Sequence, residues 1–88
     1  MTYEVTWSRQ AARSVQVDLP EAVAAACVEF ILGPLASNPY RVGRPLHEPM
    51  NGLHSARRGE FRVVYDIQEE HVVVHVVMIR HRRDVYRT

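Results

Sequence analysis

The sequence predicts a small α+β domain of order β-α-α-β-β-β, with two N-terminal helices packed on one face of a mainly antiparallel four-stranded sheet. Three observations predict it. Helical spacing of apolar residues is confined to residues 8–33. Strand patterns stand at both ends, one before residue 8 and three after residue 52. Between the halves, "SNPYRVGRPLHEPMNG", residues 37–52, carries three prolines and two glycines and reads as a loop with at most a turn of helix.

Each element has its own signal. "TYEVTW" alternates, with Tyr3, Val5 and Trp7 on one face, and gives the first strand. Ser8 is a fair N-cap, and Ala12, Val15 and Leu19 follow at helical spacing. Asp18 and Glu21, around Pro20, are spaced as a capping box for a second helix, "PEAVAAACVEFIL". That helix is apolar on most sides and must be largely buried; Gly33 and Pro34 end or break it. After the loop, "LHSARR" is a short strand and "EFRVVYDI" a strong one. "QEE", residues 68–70, makes the hairpin turn into "HVVVHVVMI", which is nearly continuously apolar and reads as a central strand covered on both faces. "RHRRDVYRT" reads as a basic tail. No repeat or linker divides residues 1–88, so one domain is expected.

Composition narrows the function. The 88 residues are 47% apolar and 24% charged, ordinary for a soluble globular protein. No apolar run approaches the ~20 residues of a membrane helix, and "MTYEVTWSRQ" lacks a secretory pattern. Cys27 is the one cysteine and lies in an apolar run, so it reads as a core thiol. A cytoplasmic location without membrane contact is expected. The net charge of +1 hides an uneven distribution. Residues 1–40 hold two arginines against four acids; residues 41–88 hold nine against six, and all five histidines. There is no lysine, so every cation is a guanidinium, which forks onto phosphate and stays charged. A polyanionic partner fits this half.

Within "RRGEFRVVYDI", Phe61, Val63, Tyr65 and Ile67 form a buried strand face, and Arg62 stands on the other face beside Val64. Arg57, Arg58, Arg62, His81, Arg82, Arg83 and Tyr86 are the residues left to carry chemistry. Two readings are open from the residues alone: solvated charges on a sheet face, or an anion site. His71 and His75 are four apart on a strand rather than a helix, so no metal centre is expected, and no cofactor. "GLHSARRG" is not a phosphate loop.

"GLHSARRGEFRVVYDI" followed by "VVVHVVMIRHRRDVYR" resembles the RelE branch of the RelE/ParE toxin superfamily, over essentially the whole chain and with the same element order. The resemblance implies a RelE-like fold and a toxin that cuts messenger RNA in the ribosomal A site. It also implies a cognate RelB-like antitoxin, hence a toxin–antitoxin hetero-oligomer, with ribosome and mRNA as the other partners. The alternative it implies is a ParE-like DNA gyrase inhibitor that does no chemistry. Residue by residue, the strand arginine that contacts the cleaved phosphate falls on Arg62. The basic residue of the preceding strand falls on Arg57, the tail arginine on Arg82 and the tail tyrosine on Tyr86. Arg58, His54, His81 and Arg83 would contact RNA around these. Two departures stand out. Leu53 and Ser55 occupy positions that are lysines in the best-known pattern, and the spacing from Arg82 to Tyr86 is short.

The chemistry implied is attack by the 2′-hydroxyl on the adjacent phosphate. It needs a base, an acid and stabilisation of a doubly charged phosphorane. Arginine, with a pKa above 12, suits only the charge. Tyr86 surrounded by guanidiniums is a candidate base. His81 is its rival as base or acid, and His54 a weaker one.

Overall fold

The computed structural model describes residues 2–83. β1 spans Glu4–Trp7, and α1 spans Arg9–Arg13 and widens into a π-helical turn, Ser14–Asp18. α2 spans Glu21–Phe30 and widens likewise over Ile31–Leu35. A one-turn α3, Pro39–Val42, leads into β2, Gly43–Pro45. β3 (His54–Arg58), β4 (Phe61–Gln68) and β5 (Val73–His81) follow. They form one five-stranded sheet in the order β1-β5-β4-β3-β2. β1 pairs parallel with β5, and the remaining pairs are antiparallel. The fold class therefore holds, with one more strand than the sequence predicts. No helix among the described residues is long and apolar enough to cross a membrane.

The helices cover one sheet face. Ala11, Cys27, Ile31 and Leu35 pack against Ala56, Val63, Tyr65, Val74, Val76 and Ile79. Ser8 caps α1 as expected, accepting the N–H of Ala11 at 3.0 Å. The Asp18–Glu21 capping box does not form: Pro20 is the N-cap and makes no side-chain cap bond, while Asp18 pairs with Arg13 at 3.6 Å on the surface. Pro34 does not end the second helix sharply. It lacks an N–H and its ring would press on the carbonyl one turn back, and the widened turn over Ile31–Leu35 accommodates both.

Residues 37–52 are more ordered than a loop. Asn38 caps α3, its side chain accepting the N–H of Arg41. The hydroxyl of Tyr65, fully buried on β4, donates to the Pro39 carbonyl and fixes α3 against the core. Gly43 follows where nothing larger fits, since a β-carbon there would collide with the Tyr65 hydroxyl and approach the Ser55 carbonyl to 2.8 Å. The hairpin turn is longer than "QEE": a 3₁₀ turn, Glu69–His71, is followed by Val72 in the left-handed region, φ 54°.

β5 is central, between β1 and β4, but the described helices lie on only one of its faces. It also carries a bulge. Tyr65 pairs with Val76 while Val64 pairs with Met78, leaving Val77 as the extra residue. The Ser8 hydroxyl takes up the Val77 carbonyl. The bulge resets the alternation of β5. Val74, Val76 and Ile79 all face the helices, and Met78 and Arg80 turn to the open face.

Candidate nucleic-acid interface

β4 aims Arg62 away from the helices because Phe61, Val63 and Tyr65 occupy the other face. In the register, Arg57 on β3 stands directly opposite Arg62, and Arg80 on β5 stands directly opposite it on the other side. Three guanidinium side chains thus project in a row from three adjacent strands, spanning about 10 Å at the ~4.8 Å strand spacing. Like charges directly opposite each other destabilise a sheet, so the row is not placed there for folding.

The row continues toward the sheet edge. Arg44 on β2 is opposite Ser55, two residues before Arg57. Arg44, Arg57 and Arg62 line a cleft of about 500 Å³ together with Val42, Gly43, Leu46 and Ser55. No carboxylate among the described residues lines it. The ion pairs among the described residues are Arg13–Asp18 and His81–Glu60, so neither involves these arginines. The Nε of Arg62 is buried and has no hydrogen-bond partner among the described residues. A buried charged donor without an acceptor is costly unless a ligand supplies one. The arrangement suits a phosphate chain.

The register separates the other sequence-predicted residues. Arg58 is opposite Phe61, on the helix side of the sheet, and lines clefts with Ala26, Cys27 and Glu29 of α2. His54 is opposite Tyr65, also on the helix side, where its ring stacks on Tyr65 at 5.7 Å and meets Tyr40 edge-on at 5.9 Å. The structure therefore does not bring Arg58 or His54 to Arg62. Because a strand alternates, residues adjacent to Arg57 in sequence must face the other way. His81 is opposite Phe61, packs edge-on against its ring at 5.1 Å, and has its Nε2 3.6 Å from the Glu60 carboxylate. Arg82 donates its backbone N–H to the Glu60 carbonyl, and Arg82 and Arg83 are exposed in a turn after β5. Tyr86 lies outside the described residues. Sequence reasoning missed Arg80 and Arg44. The bulge hid the first, and the second sits on a strand read as loop.

The described tyrosines are not poised as bases. Burial pushes the Tyr65 hydroxyl up to about 12. The hydrogen bond from Tyr40 to the Glu69 carboxylate pushes Tyr40 to about 12 as well. Tyr3, which shares that carboxylate at 2.8 Å, is raised for the same reason, and Glu69 is lowered by accepting both bonds. At the far end of the open face the charge pattern changes: Asp66 is opposite His75, whose Nδ1 lies 2.7 Å from the Thr6 hydroxyl.

The family model described as "ParE toxin of type II toxin-antitoxin system, parDE" matches residues 5–86. The chain belongs to this toxin family. It is 52% identical over 85 residues to Toxin RelE of Mycobacterium tuberculosis, covering 97% of this chain and 87% of that protein. It is 42% identical over 87 residues to Toxin RelG of the same organism, covering 99% of both. Among solved structures, the RelBE2 toxin–antitoxin complex of M. tuberculosis matches with a TM-score of 0.88 and 40% identity over 93% of each chain. The isolated E. coli RelE toxin matches at TM-score 0.71 and 18% identity, over 90% of this chain and 83% of that one, and shares the fold. The RelE/ParE resemblance therefore holds, and the protein is a type II toxin of that superfamily.

Proposed function

We propose that residues 1–88 act as one toxin domain that cuts mRNA on the ribosome by 2′-hydroxyl attack. The observation that carries this reading is the row Arg57–Arg62–Arg80, three cations without a carboxylate partner among the described residues. The relatives named Toxin RelE and Toxin RelG support it. In the step, the 2′-oxygen bonds to phosphorus and the bond from phosphorus to the 5′-oxygen breaks. A base takes the 2′-proton and an acid protonates the leaving 5′-oxygen, leaving a 2′,3′-cyclic phosphate and a 5′-hydroxyl. Arg62 and Arg57 hold the phosphorane, whose extra negative charge develops only in the transition state. Arg80 shares their row, and Arg82 follows at the strand end beside Glu60. Tyr86 serves as base. The raised tyrosines Tyr3, Tyr40 and Tyr65 leave that role open for it. The solved RelBE complexes support a RelB-like antitoxin as partner, and action on ribosomes implies the cytoplasm.

The family model bears the ParE description, which favours a second reading: a gyrase inhibitor without nuclease activity. One experiment separates the two. The toxin is induced in cells, mRNA 5′ ends are mapped, and DNA gyrase supercoiling is assayed with the purified protein. New 5′-hydroxyl ends within translated regions and unimpaired gyrase are expected. Intact mRNA with inhibited gyrase would replace this reading by the second.

A further inference from the structure

Beyond the arginine row, the cleft at the sheet edge has a construction of its own. Arg44 reaches it from β2, the short edge strand, and Ser55 forms its floor on β3. Val42 and Leu46, flanking β2 on either side, give it apolar walls. β2 is held there by the Tyr65–Pro39 hydrogen bond and the close approach at Gly43. Arg44 is thus set diagonal to Arg57, one step along the strand from the row. Among the described residues, three guanidiniums share about 500 Å³ with one hydroxyl and no acid. The Nε of Arg62 faces no protein acceptor among the described residues.

We infer that this cleft is a second phosphate subsite for single-stranded RNA: Arg44 holds the phosphate next to the scissile one, and Val42 and Leu46 shelter that nucleotide's sugar and base. The inference rests on the reading of the open face as an RNA site. Its logic is spacing. A single phosphate on Arg62 takes up the charges of Arg57 and Arg80 in the row, and Arg44 lies beyond them on the next strand. A chain with repeating phosphates can satisfy both places, whereas an isolated anion satisfies one. The apolar walls beside Arg44 suit a sugar and base attached to the second phosphate. Ser55, as donor and acceptor, can bond either the phosphate or a ribose hydroxyl.

The test is the salt dependence of binding to a short single-stranded RNA carrying 2′-O-methyl groups, which cannot be cut. Binding is measured from low to moderate salt for wild type, Arg44→Ala, Arg44→Lys, Arg62→Ala and Arg41→Ala, with circular dichroism to check folding. Arg41 is exposed and does not line the cleft. Each phosphate contact contributes about 0.7 to the slope of log K against log salt for single strands. Arg44→Ala is expected to reduce the slope by about 0.7, with Arg44→Lys and Arg41→Ala close to wild type. A slope unchanged in folded Arg44→Ala overturns the subsite, including the case where that variant loses only antitoxin affinity. Wild type that fails to bind at low salt overturns the subsite and the RNA reading together. A reduced slope in folded Arg44→Ala beside a normal one in folded Arg62→Ala overturns the placement of Arg44 next to a phosphate held by Arg62.

Discussion

Tyrosine chemistry distinguishes the residues that can act from those that hold the fold. Tyr40 is exposed, yet its hydroxyl is fixed by the Glu69 carboxylate, which favours the protonated phenol. In Glu69→Gln the acceptor loses its charge, so Tyr40 should titrate well below its present value of about 12. Ultraviolet titration of wild type against the variant reads this directly, and an unmoved Tyr40 would contradict it. Tyr65 is buried without an ionised neighbour to blame, and its raised value makes stability pH-dependent in one direction. Below the unfolded pKa of about 10 its contribution is complete; it fades as pH rises toward about 12. For the proposed cleavage the tyrosine to test is Tyr86. Tyr86→Phe keeps the ring and deletes the hydroxyl, and should slow cleavage by about 10² to 10⁴. A silent Tyr86→Phe would move the base to His81. That residue stands on the Phe61 side of the sheet near Glu60, away from the arginine row.

At the scale of elements, the Val77 bulge decides which arginines meet. Continued alternation from Val74 and Val76 would turn Arg80 toward the helices; one extra residue places it opposite Arg62. Ser8 ties this bulge to the start of α1, since its hydroxyl both caps the helix and bonds the Val77 carbonyl. Ser8→Ala should therefore destabilise the fold by about 1 to 2 kcal/mol, and urea unfolding should show it. A shift under about 0.5 kcal/mol, the usual scatter of surface changes, would mean neither bond matters. The same elements show what the sequence made legible. Strict alternation in β4 revealed Arg62 and its face, because a half-buried strand writes its orientation into its pattern. The two N-terminal helices followed from their apolar spacing; Arg57 came from the family resemblance, and only the register with Arg62 separates its face from that of Arg58. The bulge was not legible, since the stretch from Val72 to Ile79 is apolar at every position except His75 and carries almost no parity. Nor was β2, whose three residues include Gly43 and Pro45 and which is held in place by Tyr65, distant in sequence, through its bond to Pro39. The facing of His54 was lost for a related reason: a histidine is at home on either side of a sheet, and only its pairing with Tyr65 assigns the side.

Across the whole molecule, helices cover one face of the sheet and arginines gather at one end of the other. Leu53 and Ser55 fall where the best-known RelE pattern has lysines, and here a guanidinium from β2 lines the same cleft as Ser55. The site is rich in groups that hold charge and poor in groups that move protons. It contains little that could align a 2′-hydroxyl with its leaving oxygen, and orientation alone can supply several kcal/mol of a barrier. On the proposed reading the ribosome imposes that alignment, and the purified toxin should cut naked RNA far more slowly than mRNA in a translating ribosome. Equal rates would remove ribosome dependence. The most direct measurement of the central claim is single-turnover cleavage of mRNA on programmed ribosomes by wild type and Arg62→Ala. The substitution removes an arginine from an open face and should leave the fold intact, while the rate should fall by about 10² to 10³, the loss seen when one donor to a transition-state oxyanion is deleted. A folded Arg62→Ala protein that cuts within a few-fold of wild type, leaving the same 2′,3′-cyclic ends, would show that the arginine row is not where the phosphate reacts.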